Sequence, residues 1–224
     1  MLNKLKYFKR FRKLRRSKPE FWFLPKDNLG YIQIPKVASR SLRVALIDHF
    51  SGLDSASFDK KKLKEYSEIH SEHIKQSLIR QQHPDAFIFS FVRNPYDRIV
   101  SCYKNKVAMP DSDKNIFACH GINLDDSFDT FIEKICEIPD NEADRHFRSQ
   151  SWFLMSDNEL LTDYVGKLET MNEDWAYLSQ RFNLPAMPHR NSTPNTAIEI
   201  SQRNKQLIQQ RYESDFKHFY PDEY

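Results

Sequence analysis

Glycine is scarce in this chain, with four residues among 224 and none between Gly30 and Gly52. That excludes the phosphate loop G-x-x-x-x-G-K-[ST], whose glycines let backbone N–H groups close around phosphates. Cysteine is scarcer still, and Cys102, Cys119 and Cys136 are widely spaced and odd in number. With no C-x-x-C or zinc spacing, free thiols in a reducing cytosol are the expectation rather than a disulfide framework, and no metal site is expected. No run of about 18 apolar residues exists, so no membrane span is expected. Residues 1–20 lack the apolar core of a signal peptide. Charge of one sign is not in large excess: a net +3 supplies no overall field for nucleic acid, and none is expected as a partner. What remains, 39% hydrophobic and 29% charged residues, suits one α/β domain with a polar, solvated surface.

Two stretches carry chemistry. In the first, residues 31–44, YIQIPKVASRSLRV, an apolar run ends in a small-residue turn with one lysine, and a helical pattern follows. Strand, tight turn and helix is the layout of an anion cradle, because the first N–H groups of a helix and its dipole both face the turn. Lys36 adds a mobile positive charge, and Ala38, Ser39 and Ser41 keep the turn small without glycine. An ordinary strand–helix junction shares this layout.

The second, residues 86–107, reads AFIFSFVRNPYDRIVSCYKNKV. Ala86 to Val92 is a continuous apolar run, as expected of a parallel strand buried on both faces. Arg93 ends it, Asn94 is a good N-cap, and Pro95 suits the first helical position. Ser101 lies about two turns into the helix. An arginine at the carboxyl end of a strand and a serine on the next helix can converge on one anion where open α/β sheets bind ligands; a structural Arg93 paired with Asp97 is the alternative.

Together these segments resemble the PAPS-dependent carbohydrate O-sulfotransferases, both the Golgi-type enzymes and their bacterial relatives. I-P-K-V-A-S-x-S is similar to their loop for the 5′-phosphosulfate, and F-V-R-N-P-Y-D-R-I-V-S-x-Y-x-N-K to their 3′-phosphate element. The resemblance continues at Asp144 to Gln150, at Asp163 to Glu169 and at His189 to Thr193. It implies a fold like that of the P-loop nucleotide kinases, a short parallel sheet flanked by helices on both faces. The sulfotransferase domain would occupy residues 30–224, after a basic tail and connector at 1–29. The implied reaction moves a sulfuryl group from PAPS to a saccharide hydroxyl, leaves PAP as product, and needs no metal.

The resemblance also assigns roles. Lys36, with Val37, Ala38, Ser39, Arg40 and Ser41, would hold the 5′ end of the nucleotide. Arg93 and Ser101 would hold the 3′-phosphate, and Asn191, Ser192 and Thr193 would pack on the cofactor. Arg40 stands where relatives often carry a small residue or threonine, so it either adds a phosphate contact or points to solvent. The acceptor hydroxyl needs a base, and histidine has a suitable pKa. His70, at the end of an expected short strand Tyr66–His70, is the first candidate. His73, on an expected helix over 73–82, is the second, with Glu68 and Glu72 as carboxylate alternatives. His146 and Arg148 would contact the acceptor from a helix expected over 143–155, where Asp144 and Arg148 also have the spacing of an ordinary ion pair.

Elsewhere the pattern predicts a connector over 19–28, a polar surface insertion over 111–125, and a helix whose apolar positions are Phe128, Phe131, Ile132 and Ile135. It also predicts a strand at 164–168, a helix over 171–182 with Trp175 and Leu178 inward, and one long helix over 197–219. Residues 1–18 interleave lysine and arginine with Leu2, Leu5, Phe8, Phe11 and Leu14. That pattern reads as a surface helix on anionic lipid, as a contact for an anionic acceptor, or as a mobile basic tail. The Golgi-type enzymes carry an N-terminal membrane anchor. A bacterial-type enzyme in the cytoplasm, peripheral on the inner face of the membrane, or a trimmed domain, is therefore expected here. Two rival readings are a nucleotide or sugar kinase, which would need a Walker lysine and a magnesium carboxylate, and a non-catalytic glycan- or membrane-binding protein.

Overall fold

A computed structural model describes residues 18–53, 55–110, 115–188 and 198–224. In chain order the first elements are β1 (Glu20–Leu24), β2 (Leu29–Gln33), α1 (Ser39–Ser51), α2 (Lys60–His70), β3 (Ser71–His73), α3 (Gln76–Gln82) and β4 (Phe87–Val92). Then come α4 (Pro95–Tyr103), α5 (Phe128–Cys136), α6 (Gln150–Leu154), β5 (Met155–Ser156), β6 (Glu159–Leu160), β7 (Tyr164–Lys167), α7 (Met171–Phe182), α8 (Gln202–Arg211) and α9 (Glu213–Phe219). The chain divides into two compact units, one from residues 1–92 with 153–195 and the other from 93–152 with 196–224. Among the described residues no helix is long and apolar enough to cross a membrane.

The first unit is built on a five-stranded sheet in the order β3-β1-β2-β4-β7. β2, β4 and β7 are the parallel core, with Tyr31 opposite Phe89 and Phe91 opposite Gly166. Every residue of β2 is buried, and so is β4 from Ile88 onward. Gly166 is required by close approach, since a Cβ there would collide with the ring of Phe91. The helix over Met171–Phe182 forms as expected, with Trp175 and Leu178 buried. The α/β fold with a parallel core and flanking helices is therefore the one the sequence predicts.

Three local expectations in this unit fail. Residues 19–28 are no connector: Glu20–Leu24 is β1, paired antiparallel to β2 through the Glu20–Gln33 register and to β3. Pro19 and Pro25 read as punctuation, yet the aromatic run between them buries Phe21 and Trp22 completely. Tyr66–His70 is the end of α2, not a strand. Asp59 caps α2 by accepting the Lys62 N–H at 2.7 Å, and Leu63 and Ser67 supply its buried face. Five residues are too few to separate a period of two from one of 3.6. The next helix begins only at Gln76, so His73 lies on the short strand β3.

The second unit is helical. Asn94 caps α4, accepting the Tyr96 N–H at 2.9 Å, and Pro95 follows it as the sequence predicts. Lys104–Ala108 prolongs α4 as a π-helical turn. Phe128, Phe131, Ile132 and Ile135 are the buried face of α5. The helix expected over 143–155 is confined to Gln150–Leu154, and residues 141–149 form turns. Asp144 stops it from starting earlier by turning its carboxylate back on the His146 N–H at 3.0 Å. The long C-terminal helix divides into α8 and α9 at Tyr212, whose hydroxyl donates to the Phe147 carbonyl at 2.5 Å. In the expected polar insertion, Phe117 and Ile122 are fully buried, so its described part belongs to the core as well as to the surface.

Candidate functional site

In the first unit the carboxyl ends of β2 and β4 lie side by side, because the two strands are parallel neighbours in register. The chain leaves β2 through Ile34 and Pro35, both buried, into a turn that ends at Ala38. Lys36 (φ 75°) and Ala38 (φ 54°) are both left-handed without being glycine. Each such residue costs roughly 1–2 kcal/mol, and such strain clusters where backbone groups are aimed at a ligand. Between them Val37 is completely buried and anchors the turn.

α1 then begins at Ser39. Its N-cap is Ala38, which has no side chain able to cap, and no side-chain cap bond forms. The turn closes through Ser41 and Leu42, whose N–H groups donate to the Ala38 carbonyl at 2.9 and 3.2 Å. The earlier N–H groups of a helix have no acceptor within it, so this terminus carries the partial positive charge that an anion seeks. Lys36, Ser39, Arg40 and Ser41 are all half-buried around it. The Nε of Arg40 is inaccessible to solvent and has no hydrogen-bond partner among the described residues.

His70 and His73 also belong to this unit. His70 is the last residue of α2 and is exposed as a whole, with its ring 4.3 Å from that of Phe50 and 6.1 Å from that of Tyr66. Desolvation on that side lowers its pKa below 6.5. His73 stands opposite Glu20 in the β1–β3 register, with Nδ1 3.5 Å from the Lys18 carbonyl oxygen.

In the second unit Arg93 is half-buried immediately before α4, and Ser101 is half-buried on that helix. The backbone of Arg93 is held by one side chain: its N–H donates to Gln150 Oε1 at 2.9 Å, and its carbonyl accepts from Gln150 Nε2 at 2.8 Å. Gln150 is itself fixed, since its N–H and that of Ser151 donate to the two carboxylate oxygens of Asp215 at 2.8 and 2.7 Å. Arg98, 1% exposed, donates from Nη1 to the Arg148 carbonyl at 2.8 Å.

The acceptor-side candidates sit on the same segment. His146 is half-buried, and its Nδ1 is 2.7 Å from Asp144 Oδ1. Burial lowers its pKa, Asp144 opposes that shift, and Lys106 and Arg145 add to it. Arg148 is 3% exposed; its guanidinium lies 4.1 Å from the Trp152 ring and donates to the Ala143 carbonyl at 2.5 Å. Asn191, Ser192 and Thr193 fall outside the described residues, as do residues 1–17 of the basic tail.

The turn and α1 bring the six residues Lys36 to Ser41 together in one unit. Arg93, Ser101, His146 and Arg148 belong to the other. The residues that sequence reasoning missed are Asp215 and the two-ended role of Gln150. Asp215 sits in a charged C-terminal stretch, E-S-D-F-K-H, where nothing marks one acid as buried.

A parallel sheet whose central strand runs into a left-handed turn, followed by a helix with no side-chain cap, is an α/β layout with unsatisfied N–H groups at the strand ends. The model of the sulfotransferase family matches residues 19–221, and the chain belongs to that family. No curated protein and no solved structure matches it. Family membership makes sulfuryl transfer the activity to be explained and brings β1, from Glu20 onward, within the matched region.

Proposed function

We propose that this protein transfers the sulfuryl group of PAPS to a hydroxyl of a saccharide. The observation that carries the reading is the turn before α1, with left-handed backbone at Lys36 and Ala38 and no side-chain cap. The Nε of Arg40 supports the same fit. An inaccessible N–H without an acceptor costs about 1–3 kcal/mol, a cost that a bound phosphate oxygen would remove.

In this reading the reaction is an in-line displacement, in which the acceptor oxygen forms its bond to sulfur as the bond from sulfur to the 5′-phosphate oxygen breaks. Positioning and charge stabilisation do most of the work, as in phosphoryl transfer. Lys36 neutralises the charge that grows on the leaving phosphate. The N–H groups from Val37 to Arg40 and the hydroxyls of Ser39 and Ser41 hold that phosphate in place. Arg93 and Ser101 hold the 3′-phosphate, and Asn191, Ser192 and Thr193 cover the nucleotide. The acceptor proton passes to a histidine, His70 at the end of α2 or His73 three residues on, in β3. His70 suits the task because its lowered pKa leaves it neutral at pH 7.

The choice of a saccharide rests on the resemblance of segments 144–150 and 163–169 to the carbohydrate enzymes. It also rests on the 115–125 region, where the apolar Phe117 and Ile122 are buried and Asn123 and Asp125 are exposed. His146 and Arg148 are the acceptor-side residues of this reading. The three free thiols suit a reducing compartment, so we place the enzyme in the cytoplasm, with residues 1–18 as a peripheral membrane contact.

The test is transfer of labelled sulfate from PAPS to a panel of polysaccharides and, separately, to small phenols. Label on a polysaccharide, and none on phenols, is the expected result. Label on phenols alone would remove the saccharide assignment, and label on neither, with intact PAPS binding, would favour the non-catalytic reading.

A further inference from the structure

Arg93 lies one residue past the end of β4. Within a strand, a residue exchanges N–H and C=O bonds with the backbone of a neighbour. Arg93 exchanges both with a single side chain, the Gln150 amide, at 2.9 and 2.8 Å. A side-chain amide offers an acceptor and a donor on one planar group, and that of Gln150 uses both on Arg93. The next residue is fixed as well: Asn94 accepts the Tyr96 N–H at 2.9 Å and donates to Glu223. The direction in which the Arg93 side chain leaves the backbone is therefore set by its neighbours before any ligand arrives.

Gln150 is in turn fixed from behind. It has no exposed surface, and Asp215, equally buried, receives its N–H and that of Ser151 on separate oxygens. Arg98 adds its charge beside Asp215 and ties down the Arg145 and Arg148 carbonyls just upstream. The relay thus runs from a buried acid to a backbone, to an amide, to the backbone of Arg93. A capping or packing role for Gln150 would need neither end of its amide on Arg93.

We propose that Gln150 is a positioning residue for anion recognition by Arg93, and that with Asp215 behind it this side chain sets the enzyme's selectivity for nucleotides bearing a 3′-phosphate. The inference rests on Arg93 serving the 3′-phosphate. Misplacing a bidentate donor by about an ångström is enough to forfeit most of what it contributes.

The experiment is calorimetric titration of the full chain with 3′,5′-ADP and with 5′-AMP. It compares the wild type with Arg93→Ala, Gln150→Met, which keeps the length but loses both bonds, and Gln150→Glu, which keeps the acceptor and loses the donor. The expected result is that Gln150→Met weakens 3′,5′-ADP by about tenfold or more while 5′-AMP is held as before, so that the ratio moves toward that of Arg93→Ala. Gln150→Glu should fall between, and in the Arg93→Ala background neither substitution should change the ratio further. 5′-AMP is the internal control for folding, because a merely damaged protein loses both nucleotides alike. Equal loss of both ligands, or a wild-type ratio in folded Gln150→Met, overturns the positioning role. Should Gln150→Met fail to fold, the isosteric Gln150→Glu decides alone, a wild-type ratio counting against the proposal. A wild type that shows no preference for 3′,5′-ADP instead defeats the assignment of Arg93 to the 3′-phosphate, and the inference falls with it.

Discussion

Asp215 holds Gln150 by its backbone rather than by its side chain: Oδ2 accepts the Gln150 N–H at 2.8 Å while Oδ1 accepts that of Ser151 at 2.7 Å. The carboxylate is completely buried, and burial pushes its pKa up against the pull of these two N–H groups and of Arg98. Asp215→Ala would leave two inaccessible donors without an acceptor, a loss of about 2–5 kcal/mol. Asp215→Asn keeps one acceptor and should lose about half of that. Urea denaturation of both variants checks the order, and a loss under about 0.5 kcal/mol in Asp215→Ala would contradict it.

The features legible in the sequence are those carried by local pattern. The apolar run before Arg93, the Asn94–Pro95 helix start and the apolar spacing of Phe128, Phe131, Ile132 and Ile135 depend on neighbours in sequence, and each appears in the structure as read. The turn around Lys36 was legible as a turn, but its left-handed lysine was not, because glycine, asparagine and aspartate announce a positive φ and lysine does not. β1 was hidden because its register partner β2 defines it, and an aromatic run between two prolines carries no period of its own. Likewise Asp144 pairs within its own turn and ends the predicted helix, a competition between side chain and backbone that apolar spacing does not record.

In the proposed reaction Lys36 serves the leaving group, whose charge is larger in the transition state than in bound substrate. Interactions of that kind act on turnover more than on binding. Lys36→Ala should lower kcat by about 100-fold or more, with the affinity for 3′,5′-ADP changed by less than about tenfold. Steady-state kinetics and calorimetry on the same preparation separate the two. Unchanged turnover removes the role, and a loss confined to binding reassigns it to nucleotide recognition.

Asp140 accepts the Ser149 N–H at 3.0 Å and pairs with Arg211 Nη2 at 2.7 Å. Burial pushes its pKa up, but Arg211 and Ser149 outweigh burial and hold it below 3.8. A depressed native pKa means that the unfolded state binds the proton first, so this stabilisation is complete above pH 3.8 and is lost as pH falls through the lower native value. Asp140→Asn should cost about 3 kcal/mol at pH 7. Its deficit relative to wild type should shrink below pH 4 in denaturation series. A deficit that is the same at pH 3 and pH 7 would show that the charge of Asp140 is irrelevant to it.

The three thiols should differ sharply in reactivity. Cys119 is exposed, Cys102 is buried, and Cys136 is half-buried with its pKa pushed up to about 11 by desolvation. At pH 8 a thiol of that pKa is ionised in about one molecule per thousand, and the thiolate is the reactive form. Brief alkylation of the native protein followed by peptide mass mapping should label Cys119 alone, with all three labelled after denaturation. Labelling of Cys136 at the rate of Cys119 would mean that the α5 segment carrying it opens readily in the native state.

The general base can be located by its pH dependence. A base works when neutral, so kcat/KM should rise with pH through the pKa of the histidine that accepts the proton and level off above it. Desolvation against Phe50 and Tyr66 lowers the pKa of His70 below 6.5, which puts the rising limb below that pH. His70→Ala should lower kcat by about 100-fold or more and abolish the limb, whereas His73→Ala should leave its position unchanged. If the limb vanishes instead in His73→Ala, the base is the histidine on β3. If it survives both substitutions, neither histidine is the base. His146, with Nδ1 already oriented by Asp144, is then the side chain to substitute, and burial lowers its pKa too.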